Sequence, residues 1–216
     1  MKNIDKIIKI LKKDTKDFVI PSVTELSEKK DITPYMILVS TLLSLRTKDE
    51  ITYEVSKRLF DIAKTPEELL EIPIKRLEKI IFKTGFYHNK ARTLREVSKE
   101  IIENYSGKVP STIDELTSLK GVGRKTANLV VIKGFDKPGI CVDTHVHRIS
   151  NRLGLVQTKN ADKTELALRK DLPKKYWMEI NDLLVKYGQN VCRPISPHCK
   201  ECRLTTYCKF FKENKK

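Results

Sequence analysis

Four cysteines, a lysine behind a Gly-Val-Gly turn and an aspartate before a His-rich stretch are the residues of this 216-residue chain whose types and spacing could do chemistry. Cys192, Cys199, Cys202 and Cys208 follow the spacing C-x6-C-x2-C-x5-C. Cysteines packed this densely, in a chain with no visible export signal, argue for metal ligation over disulfides. An all-thiolate set suits zinc or an iron–sulfur cluster, and spacing with a single C-x2-C pair leaves both open. Cys141 stands apart, in Gly139-Ile140-Cys141-Val142, and reads as a buried small hydrophobe.

The turn is Leu119-Lys120-Gly121-Val122-Gly123-Arg124-Lys125-Thr126-Ala127. Two glycines one residue apart permit a sharp reversal, and backbone N–H groups opening the next helix then point outward together. Such a nest takes one phosphate, the physical content of a helix–hairpin–helix that grips a DNA backbone without reading bases. An ordinary helix–turn–helix corner would carry the same glycines; the basic pair Arg124-Lys125 favours the anion site. A Walker A loop is excluded because Arg124 separates Gly123 from Lys125, and a dinucleotide fingerprint because position 126 is Thr. Lys125 is a candidate nucleophile: an attacking amine must be neutral, and a helix N-terminus and the adjacent Arg124 both disfavour a positive charge there. A phosphate-contacting or solvated lysine is the competing reading in a chain with 43 basic residues.

Asp143, in Val142-Asp143-Thr144-His145-Val146-His147-Arg148, precedes an apolar-periodic run and is placed as a helix N-cap. Its catalytic alternative is a carboxylate that moves a proton and stabilises a developing sugar cation. His145 and His147 lack the partner spacing of metal ligands and read as helix-face residues or phosphate contacts.

The elements that must hold these groups are helices. Thr33-Pro34 and Thr65-Pro66-Glu67-Glu68 combine a cap with a proline at the next position, and Thr112 with Glu115 forms a second capping box. Tyr35 to Leu45 lacks a polar face and predicts a helix buried on most sides. Asp162 with Glu165 predicts a helix start, ending before Pro173. A seam at Phe135 to Gly139 reads as a turn between domains. At 39% hydrophobic and 33% charged the chain is globular, neither collagen-like nor low-complexity. Its longest apolar run falls short of the roughly 20 residues a membrane span needs, and a cytoplasmic, nucleoid-associated location is expected. A net charge of +15 suggests a polyanion partner, whose counterions are released on binding.

In this order the blocks resemble the endonuclease III family of iron–sulfur-containing helix–hairpin–helix DNA glycosylase/lyases. They are Leu42-Leu43-Ser44-Leu45-Arg46-Thr47-Lys48-Asp49, Gly85-Phe86-Tyr87-His88-Asn89-Lys90-Ala91, the Gly121 turn through Asn128, Val142 through Arg148 and the cysteine spacing. The resemblance implies an all-α, two-domain fold. A six-helix barrel with the hairpin would span 27–136, and a discontinuous domain, 1–26 with 137–216, would carry a [4Fe-4S] cluster on loop 192–208. It carries the family's nucleophile onto Lys125, its catalytic aspartate onto Asp143 and its cluster ligands onto Cys192, Cys199, Cys202 and Cys208. The residues that fill the stack behind a flipped base fall on Arg46 and Phe86, where the family has Gln and Leu. Further DNA contacts are implied at Asn89, Lys90, Gly121, Gly123, Arg124, Thr144 and His145.

The function so implied is removal of oxidised pyrimidines from double-stranded DNA, with a Schiff base on Lys125 and strand cleavage 3′ to the abasic site. A monomer suffices for this. Three other readings make different demands. A monofunctional mismatch glycosylase would not need Lys125. A non-catalytic clamp on distorted DNA would never trap covalently. A zinc-stabilised RNA-binding protein would be colourless.

Overall fold

Several helix starts in this chain are set by side chains that accept the first unpaired N–H groups. A computed structural model describes residue 1 and residues 3–214, and the described residues contain helices and no strand. In chain order these are α1 (Ile4–Asp14), α2 (Ser22–Ser27), α3 (Pro34–Ser44), α4 (Asp49–Phe60), α5 (Pro66–Glu71), α6 (Ile74–Ile81), α7 (Tyr87–Tyr105), α8 (Ile113–Ser118), α9 (Arg124–Phe135), α10 (Thr144–Leu153), α11 (Ala161–Asp171), α12 (Ile180–Asn190) and α13 (Lys209–Glu213). Short 3₁₀ turns lie at Lys174–Tyr176 and Thr205–Tyr207.

Thr33 Oγ1 accepts from Met36 N at 3.2 Å and Pro34 is the first residue of α3. Thr65 and Glu68 form the full reciprocal capping box at α5. At α8 only half of the expected box forms. Thr112 Oγ1 accepts from Glu115 N, but the Glu115 carboxylate takes the Thr112 hydroxyl at 2.6 Å. The start of α11 is corrected: Asn160 is the cap, its Oδ1 accepting from Lys163 N at 2.9 Å. Glu165 is buried and paired with Arg169 at 2.8 Å, so it is committed to the helix flank rather than to a box with Asp162.

The chain forms two compact units, Ser22–Lys137 and the discontinuous Met1–Pro21 with Pro138–Lys216. The C-terminal seam falls within Phe135 to Gly139. The N-terminal boundary lies five residues earlier than the 26/27 division expected, because α2 packs on α3, α4 and α9. In the unit Ser22–Lys137, α3 is buried from Tyr35 through Leu43 and packs against α9, α4 and α7. That explains its missing polar face: every side of the helix meets protein.

The other unit closes around one apolar core. The inner stripe of α1 (Ile4, Ile7, Ile8, Leu11) meets Val146 and Ile149 of α10, Ile180, Leu184 and Tyr187 of α12, and Leu204 and Cys208. The cysteine segment is therefore built into this core. Cys141 is fully buried, as a small hydrophobe should be.

Candidate active site

The hairpin is built from α8, five loop residues and α9. Val122 N closes the turn on Leu119 O at 3.1 Å, and the Val122 side chain is buried beneath it. Gly121 has φ +79, and a Cβ there would lie 2.7 Å from Thr93 Cγ2, so position 121 demands glycine on two counts. Gly123 caps α9 with φ −89 and ψ 170, and a Cβ there would meet open space. Glycine has no side chain to accept the first N–H groups of α9, and the exposed backbone leaves room for an outside anion. Arg124 and Lys125 are the first two residues of α9 and both are half-buried.

A second cluster joins loops some forty residues apart in sequence. Arg46 and Phe86 are both exposed, Phe86 by 59%, and both adopt left-handed backbone, with φ 53 and 59. The Arg46 guanidinium carbon lies 5.3 Å from the Phe86 ring centroid, a cation–π pair. Asn89, exposed on the first turn of α7, accepts from Arg92 Nη2 at 2.6 Å.

Lys90 corrects the expectation of a surface DNA contact. It is 8% exposed, and its Nζ donates to Leu43 O at 2.6 Å and Thr47 Oγ1 at 2.7 Å. Burial pulls its amine down to about 8. An inward amine held by two acceptors cannot reach a sugar, so this depressed value marks structure and not a nucleophile. The face of α7 could have shown it: Lys90, Ala91, Leu94, Val97, Ser98 and Ile101 share the buried side at helical spacing.

Asp143 belongs to the other unit and caps α10. Its Oδ1 accepts from Val146 N at 2.8 Å. The carboxylate thus holds the start of its helix through Oδ1. Thr144 is exposed at the first position of α10. Arg148 Nη2 lies 3.1 Å from His145 Nδ1 and 2.9 Å from Cys192 O. Gly188 of α12 makes room for the His145 ring, since a Cβ there would lie 2.4 Å from Nδ1.

Cys192, Cys199, Cys202 and Cys208 line one pocket with Ile149, Leu153, Val191, Leu204 and Phe210. Three of the sulfurs face donors. Arg152 Nη1 is 3.4 Å from Cys192 Sγ, Tyr187 OH 3.1 Å from Cys202 Sγ, and Phe211 N 3.5 Å from Cys208 Sγ. Burial, then the neighbouring Cys202 and Cys192 sulfurs, push the Cys199 thiol up, and burial does the same to Cys208. Among the described residues no three His, Cys, Asp or Glu side chains converge as a site for one ion.

Residues 39–174 match the model of the HhH-GPD superfamily base excision DNA repair protein. The chain belongs to the HhH-GPD superfamily. It is 46% identical over 187 residues to endonuclease III of Thermotoga maritima, covering 87% of this chain and 88% of that protein. With endonuclease III of Bacillus subtilis it shares 41% over 177 residues, covering 82% and 81%. Among solved structures it resembles a trapped endonuclease III–DNA covalent intermediate in an estranged-adenine complex. There the TM-score is 0.87 and the identity 34%, over 98% of this chain and 97% of that one. Within this HhH-GPD protein, the hairpin block, the Asp143 block and the Arg46 and Phe86 loops all fall inside the matched residues. The cysteine segment lies beyond them but within the span of the structural match.

Proposed function

We propose that this HhH-GPD protein is a bifunctional DNA glycosylase and lyase for oxidised pyrimidines in duplex DNA. Its relatives make it a base excision repair glycosylase/lyase. The observation that carries the bifunctional reading is Lys125, a primary amine in the first turn of α9 directly behind the Gly121–Gly123 hairpin. The hairpin binds a backbone phosphate, and the damaged nucleotide swings out of the duplex. Lys125 Nζ, neutral, attacks C1′; the C1′–N bond breaks and the base departs with its electron pair and takes a proton. The amine loses its proton as the sugar ring opens to a Schiff base, with Asp143 Oδ2 moving protons. Loss of a C2′ proton then expels the 3′ phosphate, cutting the strand 3′ to the lesion, and water releases the enzyme.

Arg46 and Phe86 fill the vacated stack. Arg46 offers only donors, which favours guanine O6 and N7 opposite the lesion. Excision from lesion·guanine pairs is expected to exceed that from lesion·adenine pairs, and equal rates would remove this role for Arg46.

The four cysteines fit a [4Fe-4S] cluster. The donor set is all thiolate, the four sulfurs border one pocket and donors already face three of them. Such a set suits a multi-iron core, where each iron takes one thiolate. When bound, the cluster cross-links residues 192–208 and fixes a loop bearing Arg193, Lys200 and Arg203.

Borohydride trapping on a duplex with one oxidised pyrimidine tests the mechanism. A covalent adduct is expected from the native chain and none from Lys125→Ala. An adduct that survives Lys125→Ala would assign the nucleophile elsewhere. A folded native protein that releases the base without trapping is the monofunctional reading.

A further inference from the structure

Arg46 and Phe86 must leave the surface together to occupy a gap in a base stack, yet each sits on a short loop with φ in the left-handed region. Non-glycine residues hold such backbone only where the surroundings over-determine it. The structure contains what over-determines it. The Lys90 ammonium, on α7, spans from the last turn of α3 to the loop that carries Arg46, through Leu43 O and Thr47 Oγ1. The same Thr47 hydroxyl accepts from Gly85 N at 3.2 Å, on the loop that carries Phe86. It donates to Leu45 O at 3.4 Å, so its hydrogen and both lone pairs are used. Gly85 packs so tightly on the first loop that a Cβ would lie 2.8 Å from Arg46 O.

We propose that Lys90 is a positioning residue: through Thr47 it locks the Arg46 and Phe86 loops into one preassembled wedge. It touches neither substrate nor reacting atoms. A surface lysine could not do this, because in water its donors would exchange freely. Sealed at 8% exposure, the amine has two protein acceptors and little alternative. The charge is retained at a desolvation cost because ammonium–acceptor bonds are stronger and shorter than neutral ones. The inference rests on the reading of Arg46 and Phe86 as stack-filling residues, and its test reports wedge insertion without catalysis.

A duplex with 2-aminopurine opposite a tetrahydrofuran abasic analogue is titrated with the full-length, metal-loaded protein to saturation. The native chain and Lys90→Arg are expected to give similar changes in fluorescence, and Phe86→Ala to lose them, which establishes that the probe reads the wedge. Lys90→Met keeps the apolar stem and removes the donors. It is expected to lose at least threefold of the fluorescence change at saturation while Kd for the duplex rises less than threefold. Thr47→Val, nearly isosteric, should reproduce it from the other side of the bond. Native-like fluorescence in both Lys90→Met and Thr47→Val would overturn the proposal. So would equal losses of affinity and signal, since a generally damaged fold does that. A native signal unchanged by Phe86→Ala would instead reject the wedge reading itself, and the Lys90 role with it.

Discussion

On the proposed mechanism Asp143 has two duties, helix cap and proton carrier, and substitutions separate them. Asp143→Asn keeps an acceptor for Val146 N while removing the charge that Oδ2 brings to the reaction. It is expected to unfold within about 1 kcal/mol of the native chain but to turn over roughly 10²–10⁴ times more slowly. Asp143→Ala should show the same slow turnover and a further loss of about 1 kcal/mol for the missing cap. Denaturant melts paired with single-turnover excision check both, and an active Asp143→Asn would leave the residue as a cap alone. At this scale the sequence reading was uneven. The cap at Asp143 and the place of Lys125 at a helix start were legible because a cap and a Gly-x-Gly turn are local patterns. Lys90 was carried over from the resemblance as a DNA contact, and the apolar spacing that buries it on α7 was not weighed against that. Nothing in one dimension announced that Arg46 would stack on Phe86, since the pair is made by long-range packing of two loops.

The two hairpin glycines differ in what they require, and the element they form depends on that difference. Gly121→Ala must find room beside Thr93 and hold a positive φ, so a loss of about 1–3 kcal/mol is expected, with weaker DNA binding as the turn shifts. Gly123→Ala meets neither obstacle and should cost less than about 1 kcal/mol. If a phosphate approaches the α9 N-terminus there, the added methyl still blocks it. Thermal melts and DNA titrations on both variants check the pattern: stability and binding fall together at 121, and binding falls alone at 123. Intact binding in Gly123→Ala would remove the phosphate from this turn. Helix starts at Thr33, Thr65 and Thr112 were readable because Thr and Pro act on their own turn. The start at Asn160 was not, because a buried ion pair between Glu165 and Arg169 absorbed the glutamate that looked like a box partner.

For the whole molecule, the cysteine segment and α1 are parts of one core, so loss of the proposed cluster should be felt far from the sulfurs. Cys202→Ser replaces a thiolate and the acceptor of the Tyr187 hydroxyl. The native protein is expected to be yellow-brown, with iron and acid-labile sulfide in equal amounts, and the variant to lose both. Hydrogen exchange should then show protection falling in α1, α10 and α12 while α3 and α9 keep theirs. A colourless native chain containing zinc would reject the cluster, and uniform loss of protection would reject the division of stability. The seam near Pro138 was visible as a turn. The other edge of that unit was not, because a six-residue helix such as α2 carries too little pattern to show which core it joins.

The discontinuity of that unit also orders events in time. The stripe Ile4, Ile7, Ile8 and Leu11 is made well before its partners, which begin only at Ile140 and extend to Cys208. At roughly 5–20 residues per second, a ribosome takes on the order of ten seconds to deliver them. Meanwhile Ser22–Lys137 has all its own contacts and can complete its fold. α1 is thus synthesised well before the helices it packs on and docks late, waiting on the same stretch of chain that brings the cysteines. If the proposed cluster is loaded there, filling of the cysteine pocket and docking of α1 become a single late step of maturation.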